Sequence, residues 1–221
     1  MIESSLKEIY NELPDGTRLV AISKYHPASA IAEAYSFGQR LFGENHVQEL
    51  LSKVSDLPDD IEWHFTGHLQ TNKVKYIAPF ISMIHSVDSM KLIKEVDKQG
   101  RRVGRRINCL LELHVAAEST KYGFSAEELK ELYESHSFDI FSNVNICGLM
   151  CMATNTDDTE RIKEDFSTAK YVYDEIRSNY YAGSDSFKEL SMGMSDDYKI
   201  ALNYGSTLVR IGTRIFGERV Y

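Results

Sequence analysis

The sequence predicts an α/β protein: a single (β/α)8 barrel of the TIM type with one extra helix at its N-terminus, spanning residues 1–221 as one domain. Three observations predict it. Short apolar runs rich in branched residues alternate with amphipathic stretches, the pattern of parallel strands joined by crossover helices. Eight such runs occur within 221 residues, which fits a compact form of a barrel that typically needs about 250. No linker, low-complexity segment or block of like charge divides the chain. An open doubly wound sheet is the alternative if the strand count is off.

The elements follow in order. Residues 1–13, MIESSLKEIYNEL, form an acidic amphipathic stretch placed to plug the barrel floor. A strand near 19–23 leads to a helix in which Pro27 suits the first turn, Ile31, Ala34 and Tyr35 make the apolar face, and Gly38 ends it. Strands near 41–43, 63–66, 83–86 and 109–114 come next. Ser125 and Glu128 have capping-box spacing ahead of Leu129 and Leu132. After a strand near 146–152, Ile162, Phe166, Ala169, Tyr173 and Ile176 put one buried stripe on a long helix. A strand at 189–191 runs into a helix carrying Ile200, Ala201 and Tyr204, which Ser195 or Asp196 is placed to cap and Gly205 to close. The last strand, 208–211, is followed by ten residues, scarcely room for a full eighth helix.

Composition excludes several classes. Lysine and arginine number 25 against 33 aspartates and glutamates, a net charge of −8 that repels phosphate backbones and argues against a nucleic-acid binder. Cys109, Cys147 and Cys151 lie in apolar runs without a CxxC pair and read as reduced core thiols of a cytoplasmic protein. The N-terminus lacks the regions of a signal peptide, and no apolar run approaches the ~20 residues of a membrane span, so no membrane partner is expected. His64 and His68 are four apart, but Gly67 intervenes at a strand end and no HExxH glutamate accompanies them, so no metal site is expected. Arg101, Arg102, Arg105 and Arg106 form a basic knot whose ordinary meaning is a solvated loop.

In a barrel, function belongs at the C-terminal ends of the strands. The first strand ends in Ala-Ile-Ser-Lys, with Lys24 on the face of Val20 and Ile22. An amine over an apolar interior loses solvation, becomes neutral more readily and can attack a carbonyl; a solvated loop lysine is the plainer reading. Barrels commonly bind phosphate with the loops after strands seven and eight. Here those loops carry Gly193 with Ser195 and Gly212 with Thr213: glycines that admit close backbone approach and hydroxyls that donate, or else two ordinary glycine turns. A carbonyl-reactive lysine facing a phosphate cradle is what pyridoxal 5′-phosphate (PLP) needs. Arg210 only donates hydrogen bonds, so against a pyridine nitrogen it favours the unprotonated ring; the alternative is a rim salt bridge to Glu218.

The segments Ala21-Ile-Ser-Lys24, Phe42-Gly-Glu-Asn45 with Val47-Gln-Glu49, Trp63-His-Phe-Thr-Gly67, Leu69-Gln-Thr-Asn-Lys73, Leu190-Ser-Met-Gly-Met-Ser-Asp-Asp197 and Val209-Arg-Ile-Gly-Thr213 together resemble the pyridoxal phosphate homeostasis protein family. That family is similar to the barrel domain of alanine racemase and related decarboxylases. The likeness covers nearly the whole chain, in order. It implies PLP as cofactor, held as a Schiff base on Lys24, with Ser195, Gly212 and Thr213 on the phosphate and Arg210 at the ring nitrogen. Asn45, Met194, His64 and Asn72 match motifs near the site. Asn45 would orient the ring or its oxygen, and His64 would donate near the phosphate unless it is a satisfied rim histidine. Tyr25, His26, His68, Glu112 and His114 vary on the family pattern; a carboxylate at Glu112 either tunes the pocket or pairs with His114. Lys121, in Glu118-Ser-Thr-Lys121-Tyr-Gly123, resembles a family rim loop.

The function so implied is non-enzymatic: storage, buffering or delivery of PLP, with transient contact to PLP-dependent apo-enzymes, by a monomer. Racemases and decarboxylases of this type add a second domain and a dimer partner to supply an acid and cover the cofactor, whereas this chain stops just after strand eight. The alternatives are a PLP-dependent amino-acid racemase or decarboxylase with Lys24 as base, and a cofactor-free Schiff-base aldolase acting on a phosphorylated sugar.

Overall fold

The computed structural model describes residues 1–117 and 122–218. Eight parallel strands close in sequence order: β1 (Arg18–Ile22), β2 (Leu41–Glu44), β3 (Glu62–Phe65), β4 (Met83–Val87), β5 (Ile107–Leu113), β6 (Val144–Cys151), β7 (Glu189–Ser191) and β8 (Leu208–Ile211). The seam is shut by β8 against β1, registered from Arg18 opposite Leu208 to Ala21 opposite Ile211. That pairing makes a barrel and excludes the open sheet.

Alternation along the strands sorts the apolar residues into two layers. Val20, Met83, Leu110, Cys147, Met150 and Leu208 fill the inside. Their neighbours Leu19, Ala21, Ile84, Cys109, Leu111, Leu149 and Val209 face the helices. All three cysteines are free and buried; burial pushes the Cys147 thiol up to about 11 and Cys151 to about 12, which leaves them inert.

Helices wrap the outside: α1 (Ile2–Glu12), α2 (Ala28–Ser36), α3 (Val47–Val54), α4 (Val74–Ile77), α5 (Met90–Val103), α6 (Ala126–Glu134), α7 (Thr159–Tyr180), α8 (Tyr198–Asn203) and α9 (Thr213–Phe216). The α6 capping box forms, Ser125 Oγ accepting from Glu128 N at 3.1 Å and Glu128 Oε2 from Ser125 N at 2.8 Å. Pro27 is the residue before α2 rather than within its first turn. No described helix is long and apolar enough to cross a membrane.

The first helix does not plug the floor. Ile2, Leu6 and Ile9 of α1 are buried beside α2 and α9, so the helix covers the wall at the β8–β1 seam, where the four-residue α9 is too short to do so. Glu12 accepts from the Tyr198 hydroxyl and, at 2.9 Å, from Lys199; Arg214 donates to Glu8 at 2.7 Å. The floor itself is polar. Arg18 meets Glu189 at 2.6 Å and Asn145 donates to Asn108 at 2.9 Å, a layer that an apolar helix face would strip of water.

The basic knot is solvated at Arg101, Arg102 and Arg106, which are exposed, but the first two lie on the last turn of α5 and Arg105 is half-buried. Arg105 donates to Ala78 O (2.7 Å) and Ile81 O (2.9 Å) just beyond α4, Arg106 to Val144 O (3.2 Å), and Arg101 pairs with Asp97 (2.9 Å).

Candidate functional site

At the C-terminal ends of the strands the structure brings seven of the eight predicted site residues onto one cavity of about 150 Å³: Lys24, Asn45, Met194, Ser195, Arg210, Gly212 and Thr213. Ile22, His26, Thr66 and Met152 complete its lining. Lys24 stands two residues beyond Ile22, on the loop leaving β1. Asn45 directly follows β2 and is fixed by the Thr66 hydroxyl, which donates to its Oδ1 at 2.7 Å.

The loops after β7 and β8 form the opposite wall. Gly193 has φ +93°, and a Cβ there would stand 2.8 Å from Tyr198 Cα, so the chain turns tightly against α8 only as glycine. Neither Ser195 nor Asp196 caps α8. Asp197 is its N-cap residue, and its Oδ1 accepts from Met194 N, which closes the loop and leaves Ser195 on the cavity. Met194 stands 40% exposed at the mouth. At Gly212 a Cβ would lie 2.9 Å from Ile22 O, so only glycine lets β8 leave the barrel so close to β1.

Arg210 makes no rim salt bridge to Glu218. Only 5% exposed, it donates through Nη1 to Ser191 O (2.9 Å) and Oγ (2.7 Å) and through Nη2 to Cys151 O (2.9 Å). Burial draws its pKa below its ordinary value, against the opposing influence of Cys151, Asp197 and Glu112. Glu112, on β5, is also buried. Desolvation, with Asp88 adding and Arg210 opposing, raises its carboxyl to about 7.

His64 is not on the cavity. It lies inside the barrel below the rim, its Nδ1 2.8 Å from His85 Nε2, while His85 Nδ1 is 3.0 Å from Ser191 Oγ. Desolvation pulls His64 down to about 3 and His85 well below its ordinary value, so both rings are neutral. Arg210 donates to Ser191 Oγ, so one consistent set of protons runs Arg210 to Ser191 to His85 to His64, each donating to the next. His68 stands apart, 3.0 Å from Asp88 and stacked on Tyr122. Asn72 is exposed on a 3₁₀ turn, Thr71–Lys73. Lys121 lies outside the described residues.

Sequence reasoning missed a buried group beneath Lys24, formed by Glu44, Glu49 and Lys53. The signal was present: Glu44 and Glu49 fall within quoted motifs, and Lys53 follows Glu49 by one helical turn.

The alanine racemase N-terminal domain family matches residues 1–220. Among curated relatives, the pyridoxal phosphate homeostasis protein of Aquifex aeolicus is 40% identical over 205 residues, covering 92% of this chain and 88% of its own. The human protein of the same name is 39% identical over 214 residues, covering 92% and 77%. Among solved structures, PipY of Synechococcus elongatus with PLP bound has a TM-score of 0.88 at 35% identity, covering 98% of this chain and 100% of that one. An alanine racemase from Bartonella henselae, 16% identical with a TM-score of 0.74, covers 99% and 58%; the likeness is one of fold.

Proposed function

The chain belongs to the pyridoxal phosphate homeostasis protein family, and on that premise we propose that it binds PLP at the cavity over β1, β7 and β8 and stores, buffers or delivers it without turning over a substrate. One observation carries the reading: Lys24, Ser195, Arg210, Gly212 and Thr213, drawn from opposite ends of the chain, line a single cavity.

The donor set suits the group. Gly212, with no Cβ to meet Ile22 O, lets its backbone approach an anion, and with the Ser195 and Thr213 hydroxyls would hold the phosphate. The bonds to Ser191 and Cys151 use three of the five N–H groups of a guanidinium; those remaining on Arg210 would meet the ring nitrogen as an acceptor and keep it unprotonated. Asn45 would orient the ring or its oxygen, and Met194 would flank it at the mouth. Bound there, PLP would supply an electrophilic aldehyde carbon, which Lys24 is placed to meet with its amine.

The cavity, at about 150 Å³, falls below the roughly 300–1,000 Å³ of pockets that enclose small ligands. A cavity of that size would leave a bound cofactor partly open to solvent, which suits exchange with apo-enzymes better than protected carbanion chemistry. We place the protein, acting as a monomer, in the cytoplasm; three free, buried thiols are in keeping with that compartment.

The test is the absorbance spectrum of the purified protein with PLP, before and after borohydride, followed by peptide mapping. We expect a band that borohydride abolishes, a pyridoxyl group on Lys24, and neither in Lys24→Ala. Sustained racemisation or decarboxylation of a common amino acid, lost in Lys24→Ala, would overturn the non-enzymatic role. No band in excess PLP would overturn the cofactor and point to sugar phosphates.

A further inference from the structure

We propose that Glu44, Glu49 and Lys53 are positioning residues for Lys24: a cluster of charged groups, buried at Glu44 and Lys53 and part-exposed at Glu49, that grips the backbone on both sides of the anchor lysine and aims it into the cavity. This rests on the reading of that cavity as the PLP site. Lys53, on α3, has its side chain 7% exposed, and its Nζ donates to Ser23 O at 3.0 Å, Glu44 Oε1 at 2.7 Å and Glu49 Oε1 at 2.7 Å. On the near side of Lys24, Ser23 is held twice, through its carbonyl by Lys53 and through its hydroxyl, which donates to Glu44 Oε1 at 2.6 Å. On the far side, Tyr25 N donates to the same Glu49 oxygen that accepts from Lys53. Lys24 is thus the residue between two clamped neighbours.

The backbone gives the clamp a task. Tyr25 has φ +66°, a left-handed conformation that a bulky residue keeps only where its surroundings enforce it. The Glu49 bond to its N–H fixes that peptide at the point where the chain leaves β1. The cluster also joins the two walls on which the cavity depends, since Glu44 immediately precedes Asn45 at the end of β2.

Stability alone is a poor reason for such a group. Buried ion clusters lose in desolvation much of what they gain in attraction, and apolar residues of the same volume serve a core as well. Here Glu44 Oε2 is buried with no hydrogen-bond partner, and burial raises the Glu44 carboxyl above its ordinary value. The side-chain bonds the cluster makes outside itself run to Ser23 and Tyr25, the residues flanking Lys24.

The experiment uses the full chain with PLP. Glu49→Ala removes the acceptor for Tyr25 N from a part-exposed position, and Glu49→Gln restores it. Two readouts are taken at matched thermal midpoints: the concentration of PLP giving half-maximal trapping on Lys24 by borohydride, and the hydrogen-exchange rate at Tyr25 N in cofactor-free protein. We expect Glu49→Ala to raise the first at least tenfold and speed the second at least tenfold, with Glu49→Gln returning both to within about threefold of wild type. Trapping in Glu49→Ala equal to wild type overturns the clamp. Wild-type protein that takes up no PLP overturns the reading of the cavity, and this proposal with it. If Glu49→Ala does not fold, the paired Lys53→Met, Glu44→Gln variant, which removes the donor to Ser23 O and leaves the part-exposed Glu49 bonded to Tyr25 N, is read by trapping alone: a rise of at least tenfold is expected, and trapping equal to wild type overturns the clamp.

Discussion

Replacing Glu112 by glutamine should flatten the loss of stability between pH 5 and pH 8. The carboxyl is 4% exposed, and burial, helped by Asp88 and opposed by Arg210, raises it from 4.5 to about 7. A group whose folded pKa exceeds its unfolded value binds more protons in the native state, so stability falls with rising pH across the interval between the two. Glu112 therefore costs nothing below about pH 4.5, and its full cost is reached just above pH 7. At about 1.36 kcal/mol per pH unit, the interval from 4.5 to about 7 is worth about 3 kcal/mol. For a chain of this size that is roughly 6–12 °C in Tm. The assay is urea and thermal unfolding of cofactor-free wild type and Glu112→Gln from pH 4.5 to 8, taken as a difference so that other titrating groups cancel. The variant should gain on wild type by about 3 kcal/mol over this range. Parallel curves would show that Glu112 ionises in the fold without cost, and would refute the argument from desolvation.

Other predictions follow from single contacts. Ser195→Ala and Thr213→Val should each weaken PLP by about 10- to 100-fold, the worth of a hydrogen bond to a charged group, while pyridoxal without the phosphate binds as before. Equal losses for both ligands in titration calorimetry would place the phosphate elsewhere. Arg210→Met should shift the absorbance maximum of bound PLP and lower stability by about 1–3 kcal/mol, because Ser191 O and Cys151 O lose their donor. An unmoved maximum would separate Arg210 from the ring nitrogen. Leu6→Ala should cost about 2–5 kcal/mol, or roughly 4–20 °C in Tm, by emptying the contact of α1 with the barrel wall. A change under about 1 kcal/mol would mean that α1 contributes little to the native state.

The strands were legible because each is a short apolar run between breakers, and a barrel strand buried on both faces has no other pattern. β7 and β8 begin and end where the runs do. The first helix shows the limit. Its stripe of Ile2, Leu6 and Ile9 declares that it buries one face and says nothing of the partner. What fixes its place is the meeting of Glu8 and Glu12 with Tyr198, Lys199 and Arg214, groups from the far end of the chain with no local signature. In the same way, Lys53 one turn after Glu49 reads as a solvated pair on a helix face, and only packing against β1 and β2 makes it a buried clamp.

His64 separates the two kinds of information a strand carries. Face is set by parity, and parity was readable: His64 and Thr66 point the same way, inward. Height was not, because it depends on how far each strand is staggered against its neighbours. His64 pairs in register with Gly43 and Met83, and Met83 belongs to the inner apolar layer, so the histidine sits one step too low to meet a ligand. Thr66, one step higher on the same face, reaches the cavity in its place. The lower position still has a physical consequence. A histidine there is desolvated and neutral, and it can satisfy its ring nitrogen only through another polar interior group, which is His85. His85 in turn engages Ser191, whose hydroxyl and carbonyl both accept from Arg210. The residue misplaced from the cavity wall thus lies at the far end of the hydrogen-bonded line that seats the guanidinium lining it.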